Sequence, residues 1–96
     1  MTKHSGELPI PSAAEADAKG LELARIWAAQ RRQYVTIRTN VWKDPGAWGI
    51  MLVDFAKHVA DAYARDKGED PNTVLSQIKQ GFDAEWGHPT DEPRPA

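Results

Sequence analysis

At 100° per residue, Met51, Ala62, Phe55, Trp48, Val59, Leu52 and Tyr63 fall on one contiguous face of a helix over residues 48–65. Beside that face Asp54, His58, Asp61 and Arg65 line up at spacings of three and four, a polar rail along the apolar stripe. A second stripe, Val74, Leu75, Ile78, Phe82 and Trp86, predicts another amphipathic helix, with Gly81 inside it at a cost of about 1 kcal/mol. Such a glycine is suited to a close approach by another element. The pattern changes in residues 34–39, Tyr-Val-Thr-Ile-Arg-Thr, where β-branched residues alternate with polar ones and predict a strand. Its nearest partner is the segment 21–28, with residues 30–32 as the hairpin connection, although no Asn-Gly or Asp-Gly marks the turn. Leu23, Ile26, Trp27 and Gln30 also show helical spacing, so an earlier helix running through Gly20 to about Gln30 competes; the hairpin is favoured.

Boundary residues sharpen these elements. Ser12-Ala-Ala-Glu15 fits a capping box and Gly20 a helix stop, which predicts a short helix over 13–19. Asp44-Pro45-Gly46 is a turn leading into the long helix, from about 47 to 66, which ends at Lys67-Gly68. Asp70-Pro71 opens the last helix, with Asp70 as N-cap and proline in the first turn. The expected architecture is an α+β domain: short N-terminal helix, β-hairpin, then two amphipathic helices packed on the sheet. A flexible arm (residues 1–11) and a flexible proline-bearing tail (88–96) flank a single domain over 12–87. Trp27, Val35, Ile37, Leu52, Phe55, Val59, Tyr63, Leu75, Ile78 and Phe82 are the expected core.

Composition bounds the function classes. Ninety-six residues, 41% of them hydrophobic and four of them tryptophan, suit one small globular domain that buries about 60–65% of its unfolded surface and gains from self-association. The absence of cysteine excludes disulfides and thiolate metal sites and fits the cytoplasm. The longest apolar run, around residues 50–53, is far short of the ~20 residues of a membrane helix, and the N-terminus carries no secretion signal pattern. Net charge is −2, unevenly spread: residues 23–43 hold Arg25, Arg31, Arg32, Arg38 and Lys43 with no acid, whereas residues 44–96 hold ten acids against five bases. Mutual attraction within one fold is the plainer meaning of that split.

Two constellations carry candidate chemistry. Asp54 and His58 are one helical turn apart, two thirds of an acid–base arrangement without a nucleophile, and a histidine bordering the apolar face with a structural role explains them as well. Metal binding needs three or four converging ligands, and neither that nor a phosphate-cradling glycine motif is evident, so no cofactor is expected. The basic segment interleaves its arginines with aromatics, giving a candidate interaction surface of Arg25, Trp27, Arg31, Arg32, Tyr34, Arg38, Trp42 and Lys43. On strands Tyr34, Thr36 and Arg38 share one face, and Arg25 and Trp27 likewise share one.

The stretch Leu21-Glu-Leu-Ala-Arg-Ile-Trp27, the Asp44-Pro45 turn, Trp48-Gly49, Asp54, His58 and Ala62-Tyr63 resembles a small bacterial family known only as a domain of unknown function, over about residues 8–90. That resemblance implies a small α+β domain with a hairpin and helices, and it supplies no activity or site residues. The expected role is therefore a non-enzymatic interaction or assembly module of the cytoplasm, a homodimer that also meets an unknown protein partner. Single-stranded RNA or DNA binding through the basic hairpin at residues 25–43 is the alternative.

Overall fold

The computed structural model describes residues 4–89, so the first three residues of the N-terminal arm and all but two of the C-terminal tail lie outside the described part. Helix and a two-stranded antiparallel sheet make an α+β fold in the order α1 (Ser12–Ala16), β1 (Ala24–Ala29), β2 (Arg32–Ile37), α2 (Gly46–Lys67), α3 (Pro71–Gly87). The chain divides into two compact units between Thr39 and Asn40.

In the first unit the strand reading of the ambiguous segment holds, with boundaries shifted. β1 starts at Ala24, and Arg32, expected in the connection, is the first residue of β2. The connection is only Gln30 and Arg31, both with positive φ (52° and 62°), the signature of a type I′ two-residue turn. Its twist matches that of the strands, which is why this tight loop forms without the usual glycine. Register pairs Ala29 with Arg32, Trp27 with Tyr34, Ile26 with Val35, and Ala24 with Ile37. Arg38 N–H donates to the Leu23 carbonyl at 2.8 Å, which extends the ladder one pair beyond β1 and β2 and fixes its phase. Pairs 25/36, 27/34 and 29/32 are therefore hydrogen-bonded, and 24/37, 26/35 and 28/33 bring their side chains closest.

The short helix departs from the expected capping box. It occupies Ser12–Ala16, its N-cap is Pro11, and no side chain caps it. The chain leaves the helix early because Asp17 turns it: the Asp17 carboxylate accepts from Lys19 N–H and its carbonyl from Gly20 N–H. An aspartate bonding its own downstream backbone competes with helix continuation.

In the second unit the boundary signals act as expected. Asp44 Oδ1 accepts from Gly46 N–H at 2.8 Å, and proline and glycine complete the turn into α2. Gly68, at φ 68°, ends α2 in the left-handed conformation, and its N–H bonds the Ala64 carbonyl. The Asp70 carboxylate caps α3 through Thr73 N–H (2.9 Å) and Thr73 Oγ1 (2.8 Å). α2 and α3 pack together as a helical hairpin.

The core is the largest correction. Among the described residues only Ala60 and Val74 are buried, one on each helix. Ala60 lies between half-buried Ala56 and Ala64 at intervals of four, and Trp48, Met51, Val59 and Ala62 of the larger stripe are half-buried as well. Ile37, Leu52, Phe55, Tyr63 and Phe82, all expected in the core, are exposed. Nothing lies within 4 Å of where a Gly81 Cβ would stand, so that glycine serves no close approach. No helix among the described residues is long and apolar enough to cross a membrane.

Candidate interaction surface

Because side chains alternate along a strand, the hairpin register sorts the basic segment into two faces. Arg25, Trp27, Arg32, Tyr34, Thr36 and Arg38 share one, and Ala24, Ile26, Ala28, Gln33, Val35 and Ile37 share the other. The sharing expected for Arg25 with Trp27, and for Tyr34 with Arg38, is thus present, and both pairs stand on a single wall. Arg31 sits in the turn, exposed. Trp42 and Lys43 belong to the second unit, where Trp42 meets Trp48 edge to face with ring centroids 5.2 Å apart.

The polar wall is not bare. The Arg25 guanidinium donates through Nε to Glu22 (2.7 Å) and through Nη1 to Glu7 (2.9 Å). Hydrogen bonds to Glu22 first, then Glu7, raise its pKa above its already high ordinary value. The His4 ring stands edge-on to Trp27 at 5.1 Å, and Gly6 passes close to the same indole. Arg38 Nε donates to the Glu22 carbonyl at 3.0 Å. The N-terminal arm therefore dresses the arginine–tryptophan wall and compensates its charge, leaving Arg31 and Arg32 as the exposed cations of the tip. Glu7, Glu22 and His4 were not among the sequence candidates. Glu22 is three residues from Arg25 and could have been paired with it by inspection; Glu7, eighteen residues away, carries no such local signal.

The opposite wall is apolar and open: Ile26 is 59% and Ile37 57% exposed. The hairpin's two concavities are shallow. One of about 330 Å³ lies among Glu22, Leu23, Arg25, Thr36 and Arg38, and one of about 440 Å³ lies near the tip among Trp27, Ala29, Arg31 and Arg32.

On α2, Asp54, His58, Asp61 and Arg65 do form one exposed rail. No hydrogen bond joins Asp54 to His58 among the described residues, so the pair is not assembled as an acid–base unit. Arg65 turns to its neighbour, donating to Asp66 through Nε at 2.8 Å and Nη2 at 3.3 Å. The hydrogen bond from Arg65, reinforced by its charge, lowers the Asp66 pKa from its ordinary value. No three His, Asp or Glu side chains among the described residues form a group that could hold a metal ion.

The family model described as Domain of unknown function (DUF5076) matches residues 7–90. The chain belongs to that family. Membership agrees with the resemblance carried by the Trp48-Gly49 helix start and the Asp54, His58, Ala62-Tyr63 series. No match to the chain was found among curated proteins. A solved structure to which this family member is similar is described as "a putative pyruvate dehydrogenase from the photosynthetic bacterium Rhodopseudomonas palustrus CGA009". The two are 28% identical and superpose with a TM-score of 0.73 over 97% of this chain and 95% of that one.

Proposed function

We propose that this family member is a non-enzymatic assembly module of the bacterial cytoplasm that works as a homodimer. The observation that supports this reading is the open apolar surface within each unit. The hairpin unit leaves Ile26 and Ile37 more than half exposed, and the helical unit does the same with Ile50, Val53 and Trp86. Fully burying a side chain of this size is worth about 1.5–3 kcal/mol, so several half-covered ones leave a small domain short of most of its driving force. A partner that covers them supplies what is missing. The lack of cysteine favours the cytoplasm, and the similarity to a Rhodopseudomonas protein supports a bacterial setting.

The activity in that protein's name is left with that protein. Chemistry on a small keto acid calls for an enclosed pocket with converging polar groups. Here the concavities are shallow, and the Asp54–His58 pair is exposed and unjoined. Multi-angle light scattering tests the homodimer reading: it should give twice the 10.7 kDa chain mass at micromolar concentration. A strict monomer at millimolar concentration would overturn it.

A further inference from the structure

Helix α2 carries two apolar rows. The row Ala56, Ala60 and Ala64 includes Ala60, the buried residue of α2. Roughly 120° around the helix, at 100° per residue, lies the row Trp48, Leu52, Phe55, Val59 and Ala62. Within it Leu52 is 48% and Phe55 50% exposed, while Trp48, Val59 and Ala62 are half-buried. The intervals in this row are 4, 3, 4 and 3, an average of 3.5 residues, which is the seam of two helices wound around each other. A seam of that period asks for a helix as its occupant.

The polar rail beside the seam identifies which helix. Read forward, it runs Asp54, His58, Asp61, Arg65. Reversed about a point near Val59, Asp54 comes opposite Arg65 and His58 opposite Asp61, so acids meet bases along the length. In a parallel, in-register pair the two rails would lie on opposite sides of the dimer and would not meet. The pattern is self-complementary only antiparallel, which also opposes the two helix dipoles. Arg65 is free to take part, because its present pairing with Asp66 is solvent-exposed, and such pairs are weak. Each chain offers the same patch, so a two-fold axis closes the assembly.

We propose that a second copy of this chain docks its α2 antiparallel on the Trp48–Leu52–Phe55–Val59–Ala62 row, forming an isologous dimer with its two-fold axis near Val59. This rests on the homodimer reading above and specifies its surface. The chain has no cysteine of its own, so single introduced cysteines report the geometry. His58→Cys stands next to the axis and should cross-link to its counterpart through a short bis-maleimide. Arg65→Cys should not, since the two copies of that position are about 16–17 Å apart along the axis at 1.5 Å per residue. Cross-linking of both would overturn the antiparallel arrangement, and failure of His58→Cys in a chain that is dimeric by light scattering would overturn the surface. Independently, Phe55→Asp should weaken dimerisation at least a thousandfold with helicity retained by circular dichroism, while Ile26→Asp leaves it unchanged. The reverse result would move the interface to the hairpin and refute the α2 proposal while keeping the homodimer. A monomeric wild-type chain would remove both.

Discussion

Replacing Gln30 by asparagine and Arg31 by glycine should stabilise the hairpin by about 1–1.5 kcal/mol. Both residues sit at positive φ, 52° and 62°. A left-handed backbone costs an L side chain about 1–2 kcal/mol because Cβ crowds the following carbonyl. Glycine at position 31 escapes that cost but adds about 0.4–1 kcal/mol of unfolded-state freedom, leaving a net gain of about 0.5–1 kcal/mol. Asparagine at position 30 bonds its own backbone and tolerates the left-handed region, adding roughly 0.5 kcal/mol. The assay is amide hydrogen exchange at Arg25, Trp27, Tyr34 and Thr36, the residues that the ladder phase makes donors. With 1.4 kcal/mol per factor of ten, their exchange should slow about five- to tenfold. Arg31→Val should do the opposite, since a β-branched side chain fits positive φ worst. Unchanged or faster exchange in the double variant would mean that the turn stores no such strain, and the type I′ assignment would fall.

Two further outcomes follow from other parts of the chain. Gly81→Ala should raise the melting temperature of the helical unit by about 4–8 °C, since nothing obstructs a Cβ there and alanine is favoured in a helix by about 1 kcal/mol; a lower melting temperature would refute the open site. Asp66 should titrate below 3.8 in the intact protein and return towards it in Arg65→Met, followed by carboxyl NMR shifts. Because its folded pKa is the lower one, the pairing stabilises the fold above pH 3.8 and is lost as pH falls through the folded value; an unshifted Asp66 would contradict the contact.

What could be read from the sequence was local. Asp70-Pro71, Lys67-Gly68 and Asp44-Pro45-Gly46 each set their boundary through bonds to neighbours within a few residues, and each appears where its chemistry puts it. The hairpin was visible in the alternation of residues 34–39, yet its turn was not: positive φ at glutamine and arginine has no sequence mark, and two-residue geometry is dictated by strand twist. The capping box failed because the helix begins one residue early, with Pro11 as its N-cap, and its stop moved because Asp17 offered the backbone a competing bond. Burial was least legible. Periodicity named the larger stripe of α2 as core, but periodicity only says which side chains share a face, not which face a neighbour will take. The polar wall of the hairpin was seen as arginines and aromatics; its compensation by Glu7 depends on a contact across eighteen residues.

The burial of an alanine, Ala60, at the heart of the helical unit has a consequence for mutational surveys. A contact made of methyl groups has nothing to lose by truncation, so a survey that trims each side chain to alanine passes over Ala56, Ala60 and Ala64 in silence. Only enlargement exposes them: a leucine in place of the 2%-exposed Ala60 must push the helices apart, at a cost of typically 1–3 kcal/mol. At the most deeply buried position of the helical hairpin, growth and not loss is therefore the informative mutation.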